Sequence, residues 1–215
     1  MTAFKESKTA ENLMKAFAGE SQARGRYTYY AEKAVEEGFQ QIAEIFQETA
    51  YNEEMHARLY FNHLVENLGK DMVVINGADY PVALAATAEN LQASAEGEHA
   101  EWTEIYPGFA KEAEEEGFSA IAKTFTRIAD VEEKHEIRYN KLLENVKNAS
   151  VFKKDAKIFW KCRRCGFIAE SPVAPPKCPV CSHPQARSKI LEMSERFQQR
   201  TDSKSSSCTP KSTVK

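Results

Sequence analysis

Two short patterns in this chain put metal-binding side chains at working distances. Glu53-x-x-His56 and Glu132-x-x-His135 each set a carboxylate and an imidazole three residues apart. On a helix such residues lie about 60° apart around the axis and about 4.5 Å apart along it, so both can converge on one ion or on neighbouring ions. Gly19-Glu20 and Gly97-Glu98 offer one more carboxylate from each of two other segments. Two Glu-x-x-His units plus one Glu from each remaining helix is the pattern of carboxylate-bridged two-metal sites in bundle cores. The mixed oxygen and nitrogen donors suit iron or manganese better than calcium or a thiolate zinc site. Glu101, one turn after Glu98, offers a fifth carboxylate. Any one of these residues alone reads more readily as a solvated helix face; their joint register makes the site. His99 points about 100° away from Glu98 and reads as surface or as support for a ligand. His63 and His183 have no partner at ligand spacing and read as structural.

A second constellation lies near the C-terminus. Cys162-Arg163-Arg164-Cys165-Gly166 and Cys178-Pro179-Val180-Cys181 form a C-x2-C, x12, C-x2-C array. Each C-x2-C makes a tight knuckle that aims two sulfurs at one tetrahedral ion. Spacing alone leaves zinc and iron both open. A metal also explains how a piece with so thin a core can fold. Phe159, Trp160 and Phe167 would pack beside it. Cys208 lies in a Ser/Lys/Thr-rich end and reads as a non-ligand in a disordered tail. Disulfides are not expected, because the chain reads as cytoplasmic and its thiols as reduced.

These side chains need elements to hold them. Residues 1–150 are rich in helix formers and divide into four long helices, over about 7–37, 39–67, 81–116 and 118–148. Gly38, Gly69 and Gly117 are the expected stops, and Pro107 should kink or loosen the third helix. In the second helix Ile42, Ile45, Phe46, Thr49, Ala50, Met55 and Leu59 form the expected buried stripe. In the fourth it is Ile121, Phe125, Ile128, Ala129 and Val131. Met72 to Ile75, in the longer connection, could pack across the body. Two short turns and one longer crossover fit a mainly α, ferritin-like four-helix bundle.

The halves of this body repeat at an offset of 79 residues. Glu36-Glu37-Gly38-Phe39 recurs as Glu115-Glu116-Gly117-Phe118, and Tyr27, Glu53, His56 and Tyr60 fall on Tyr106, Glu132, His135 and Tyr139. Gly19-Glu20 recurs at 78, so one long helix holds an extra residue, which a π-bulge would absorb. Tyr27 and Tyr106, each about two turns after a ligand Glu, are candidates to donate hydrogen bonds to ligand carboxylates.

Charge divides the chain in the same place as chemistry. Residues 1–152 carry 15 Lys+Arg against 27 Asp+Glu, and residues 153–215 carry 14 against 5, within a net of −3. The overall charge does not suggest nucleic-acid binding. No window approaches the roughly 20 apolar residues of a membrane span, and the polar N-terminus is not a secretory signal. The expected organisation is a bundle over 1–150, a linker over 151–156, a four-cysteine metal domain over 157–195 and a disordered tail over 196–215.

Two Glu-x-x-His units, the stretch Ala16-Phe17-Ala18-Gly19-Glu20-Ser21-Gln22-Ala23-Arg24 and a C-terminal four-Cys module together resemble the rubrerythrin family over roughly residues 3–193. The resemblance implies a ferritin-like diiron domain and a rubredoxin-like domain with iron in both. Its ligands would be Glu20, Glu53, His56, Glu98, Glu101, Glu132 and His135 for the diiron site and Cys162, Cys165, Cys178 and Cys181 for the single iron. It implies reduction of hydrogen peroxide to water in a microbe's cytoplasm as an oxidative-stress defence. Electrons would come from NAD(P)H through a partner reductase or a rubredoxin, by way of the thiolate iron. One iron would move between Glu101 and His56 as the redox state changes. Few acidic residues follow Cys165, and the Ser-rich end is not a family feature. From His135 to the end of the fourth helix is roughly 20 Å, so transfer within one chain looks long. A head-to-tail homodimer would shorten it, and the opposite charges of the two halves favour that docking. The alternative reading is a ferritin-like iron-oxidising or iron-binding protein with a structural zinc ribbon.

Overall fold

A computed structural model describes residues 3–191; the expected tail over 196–215 and Cys208 lie outside the described residues. The chain divides into two compact units, one ending at Val151 and the next beginning at Phe152.

The first unit is built from helices α1 (Lys8–Glu36), α2 (Gln40–Leu68), α3 (Thr87–Ala100), α4 (Tyr106–Glu115) and α5 (Ser119–Lys147). A π-helical segment, Glu101–Ile105, joins α3 to α4 without a break. Local chemistry sets the ends. The Ser7 hydroxyl accepts from Ala10 N at 3.1 Å and caps α1. Gly38 and Gly117 take φ of 84° and 90°. The residue after each closes the same ring, Phe39 N to Ala34 O at 2.7 Å and Phe118 N to Ala113 O at 2.8 Å. The duplicated Glu-Glu-Gly-Phe tetrapeptide is thus one helix-reversal device used twice.

The expected start of the third helix at residue 81 is six residues early. Residues 69–86 run extended along α1, where their polar groups are taken. Asn76 N donates to Glu11 Oε1 at 3.0 Å, Tyr80 Oη to Lys15 O at 3.0 Å, and Tyr30 Oη to Ala83 O at 2.8 Å. The Asn90 side chain holds both the N–H and the C=O of Ala85, which keeps that residue out of a helix. Within this strap Val73 packs on the core, while Met72 and Val74 face solvent. The extra residue of the repeat falls in the π segment, and Pro107 sits just beyond it in the first turn of α4. A wider turn there relieves the clash between a proline ring and the preceding carbonyls.

Each long helix changes core cluster at its candidate metal-binding residues. One cluster holds Tyr27, Tyr30, Phe46, Leu91, Ala95 and Tyr139; the other holds Leu13, Ala16, Tyr60, Tyr106, Phe125 and Ala129. Glu20, Glu53, His56, Glu98, Glu132 and His135 lie between them in sequence on every helix and are buried. The stripe expected on α2 therefore needs correcting. Glu53, His56 and Tyr60 hold its core-facing positions, whereas Met55 is 57% and Leu59 39% exposed. On α5, Val131 likewise lies outside the core.

The second unit is a three-stranded antiparallel sheet of order β2-β1-β3, with β1 Lys153–Cys162, β2 Ile168–Val173 and β3 Ser188–Ile190. Residues 153–156, expected in a linker, belong to β1, where Lys153 pairs with Val173. Trp160 is buried and donates from Nε1 to Ser171 O at 3.0 Å. Phe159 and Phe167 are half-buried.

Candidate metal centres

In the bundle, six of the expected side chains meet in two overlapping groups. Glu20, Glu53, His56 and Glu132 form one; Glu53, Glu98, Glu132 and His135 form the other. Within each group one donor atom per residue lies within 4.8 Å of every other. Glu53 and Glu132 belong to both. His56 Nδ1 is 2.8 Å from Glu53 Oε2 and 2.8 Å from Glu132 Oε1. His135 Nδ1 is 2.7 Å from Glu132 Oε2 and 3.3 Å from Glu53 Oε1. The two imidazoles stack at 6.1 Å between centroids.

Both oxygens of Glu53 and of Glu132, Oε2 of Glu20 and Nδ1 of both histidines are buried with no partner in hydrogen-bond geometry. Buried acceptors aimed at shared points without donors are costly unless a cation sits among them. The donor set fits two such cations, with Glu53 and Glu132 as the shared carboxylates and one imidazole for each. The electrostatics agree. Burial, then the charge of Glu132, pushes the carboxyls of Glu20 and Glu98 well above the usual range. Burial works to lower both histidines, but the Glu132 and Glu53 carboxylates outweigh it and raise His56 to about 11 and His135 to about 9. Burial also works to raise Glu132, yet His135 and His56 bring it down to about 2.

The two expected tyrosines are present, with crossed partners. Tyr27 Oη donates to Glu98 Oε1 at 2.6 Å, and Tyr106 Oη donates to Glu20 Oε1 at 2.6 Å. Each tyrosine thus holds the glutamate of the other hairpin. Burial, then the neighbouring carboxylates, keeps both phenols protonated far above their ordinary range. Glu101 stands outside both groups. It is half-buried at the first position of the π segment, shares a hydrogen bond with Glu98, and is pushed up to about 8 by burial and by Glu132 and Glu53.

Sequence reasoning missed a brace beside the site. Trp102 Nε1 donates to Glu136 Oε2 at 2.5 Å, and His99 Nδ1 lies 3.1 Å from the same oxygen. The only sequence signal was adjacency: Trp102 follows Glu101 and Glu136 follows His135. His63 pairs with Thr124 Oγ1 at 2.8 Å, outside the site.

In the second unit Cys162, Cys165, Cys178 and Cys181 come together. Cys162 Sγ lies 3.6 Å from Cys181 Sγ, and Cys165 Sγ 3.6 Å from Cys178 Sγ. A tetrahedron of metal–sulfur bonds near 2.3 Å has edges of about 3.8 Å, so the four sulfurs fit one ion. Each knuckle closes by a backbone bond, Gly166 N to Cys162 O and Ser182 N to Cys178 O, both 2.9 Å. The closing residues take φ of 80° and 60°. Backbone N–H groups of Cys181 and Val180 bring Cys178 down to about 7. Burial works to raise Cys162, but the N–H groups of Cys165 and Arg164 lower it on balance. Both shifts favour thiolates, whereas at Cys181 the His183 N–H works to lower the thiol but burial and the other three sulfurs push it up to about 12. The His183 ring approaches Cys181 O at 3.0 Å and braces the second knuckle.

A family model described as Rubrerythrin matches residues 11–143, and one described as rubrerythrin, rubredoxin-like domain, matches residues 160–187. Rubrerythrin-1 of Clostridium acetobutylicum is 56% identical over 191 residues, covering 89% of this chain and 98% of that protein. The rubrerythrin of Nitratidesulfovibrio vulgaris is 45% identical over 192 residues, covering 89% and 98%. Among solved structures, mixed-valence nigerythrin aligns with a TM-score of 0.58 at 31% identity, covering 86% of this chain and 90% of that one.

Proposed function

Because the chain belongs to the rubrerythrin family, with its ferritin-like fold, diiron carboxylate site and four-cysteine rubredoxin-like site, we propose that it is an oxidoreductase that reduces hydrogen peroxide to water. Cys162, Cys165, Cys178 and Cys181 would hold an iron suited to relaying the electrons. The observation that carries this reading is the coexistence on one chain of two donor groups sharing Glu53 and Glu132 and a four-thiolate knuckle. An iron store has no use for the second site.

Glu20, Glu53, His56, Glu98, Glu132 and His135 would hold the iron pair, with Glu101 as the additional donor. A reduced iron pair held there supplies two electrons for breaking an O–O bond. The protein's own part is to orient its carboxylates and to move protons. The Tyr106 and Tyr27 hydroxyls hold one oxygen each of Glu20 and Glu98, which fixes the orientation of both carboxylates and leaves Glu20 Oε2 buried without a donor. Reduction of peroxide consumes two protons. The Glu101 carboxyl, which lines the cleft beside the site, and the Tyr27 and Tyr106 phenols are the candidate proton donors.

The electron source is a partner reductase or rubredoxin drawing on NAD(P)H. Electrons pass between chains of a head-to-tail homodimer, favoured by an acidic bundle and a basic C-terminal part. No helix among the described residues is long and apolar enough to cross a membrane. The cytoplasm, as a reducing compartment for thiols, is the proposed location. The test is the visible spectrum of purified protein with iron counted per chain. A red ferric-thiolate spectrum, bleached by reductant and restored by hydrogen peroxide with water as product, is expected. A colourless four-cysteine site holding zinc, with no peroxide-dependent reoxidation, overturns the reading in favour of an iron-binding ferritin-like protein.

A further inference from the structure

A cleft of about 830 Å³ runs between α1, the strap after α2, and the α3–π–α4 helix. Tyr27, Glu101 and Tyr106 line it, so it touches the residues that hold Glu98 and Glu20. Hydrogen peroxide has two heavy atoms and occupies about twice the ~30 Å³ share of a water molecule. The cleft is more than ten times larger and falls in the range of sites for organic ligands. Its walls include Ala16, Tyr80, Ala93, Ile105 and Phe109. The strap bearing Tyr80 is anchored by its bond to Lys15 O, and the π segment contributes Ile105 to the lining. Lys8 and Lys15 also line the cleft, but both pair with Glu11, at 3.5 and 3.1 Å. Arg26, Asp79, Glu96, Glu104 and Glu112 also line the cleft, so its apolar wall is the patch of Ala16, Tyr80, Ala93, Ile105 and Phe109 beside Tyr27, Glu101 and Tyr106.

We propose that this cleft binds the organic group of an alkyl or aryl hydroperoxide, with the peroxide end directed at Tyr27, Glu101 and Tyr106. The proposal rests on the peroxide-reducing reading and extends its substrate class. The O–O bond breaks; two electrons, from the same external reductant by way of the bound iron, and two protons are consumed. The oxygen attached to carbon leaves as the alcohol and the other as water. A carbon substituent buried in such walls improves binding by tenfold or more, as methylene-sized contacts do in apolar pockets.

The test compares cumene hydroperoxide with hydrogen peroxide on the iron-loaded protein, wild type and Ala93→Trp. Binding of the product analogue cumyl alcohol is measured by calorimetry. The expected result is a KM for cumene hydroperoxide about tenfold below that for hydrogen peroxide in the wild type. Cumyl alcohol should bind and compete with cumene hydroperoxide. In Ala93→Trp the ratio of kcat/KM for the organic over the inorganic peroxide should fall about tenfold. Wild-type protein that reduces hydrogen peroxide but neither reduces cumene hydroperoxide nor binds cumyl alcohol overturns the proposal, as does an equal loss for both peroxides in the variant. Failure to reduce hydrogen peroxide would instead strike the underlying function, while cumyl alcohol binding still reports on the cleft.

Discussion

Glu53 and Glu132 differ from the other carboxylates of the bundle site in reaching both imidazoles. Glu20 lies within 4 Å of His56 alone, at 3.8 Å, and Glu98 of His135 alone, at 3.7 Å. Removing a shared carboxylate should therefore cost both bundle ions. Glu53→Ala or Glu132→Ala is expected to leave only the thiolate-bound iron, whereas Glu20→Ala or Glu98→Ala should lose one bundle ion; iron per chain by plasma emission decides between them. The Glu-x-x-His spacing made the ligands legible in the sequence, because i and i+3 share a helix face whatever the helix packs against. The tyrosine partners were not legible. Tyr27 stands seven residues from Glu20, about 10.5 Å along the axis, so it cannot serve its own helix's glutamate and reaches the other hairpin's instead.

At the scale of elements, the duplication extends to how each hairpin starts. Glu116, in the turn of the second hairpin, accepts from Lys8 N, Thr9 N and Thr9 Oγ1 at the start of α1, at 2.9, 2.8 and 2.6 Å. Glu37, its counterpart in the first hairpin, accepts from Thr87 N at the start of α3 at 3.1 Å. Each turn caps the other hairpin's leading helix, where exposed N–H groups and the helix dipole favour an anion. Burial works to raise Glu116, but Thr9 and Lys8 lower it on balance. A lowered carboxyl stabilises the fold above its unfolded pKa, and that stability is lost as pH falls through the folded value. Glu116→Gln should cost about 1 kcal/mol at pH 7. The difference from wild type should shrink toward zero below about pH 4, as read from urea midpoints at both pH values. A constant gap would mean that shape, not charge, carries the contact. The one-residue slip between Glu98 and Tyr106 announced an irregular helix. Its place at Glu101–Ile105 follows from keeping both Glu98 and Tyr106 facing the core across eight residues rather than seven.

At the scale of the molecule, the two iron centres lie in separate compact units of one chain. If electrons cross between chains of a head-to-tail dimer, damage on two chains should be complementary. Glu53→Ala disables the bundle site and Cys178→Ser the thiolate site, so neither protein alone should turn over. Co-expression or subunit exchange should restore a measurable fraction of peroxide reduction, because a mixed dimer pairs one intact thiolate site with one intact bundle. No recovery, with mixed dimers demonstrated by mass spectrometry, would mean that transfer stays within a chain.

Helix content, the duplicated hairpin, ten donor side chains gathered in two patterns and the π irregularity were all readable from residue spacing. They depend on periodicities of one backbone and on donor chemistry that does not need a partner. Tertiary structure alone decided the rest. Which carboxylates are shared depends on which faces of α2 and α5 meet. The strap over residues 81–86 stays extended because α1 and Asn90 consume its polar groups. Glu101 sits one turn from Glu98 yet falls outside the two donor groups and lines the cleft. The physical reason is common to all three. Local spacing sets which side chains share a face, but only packing against another segment determines what that face touches.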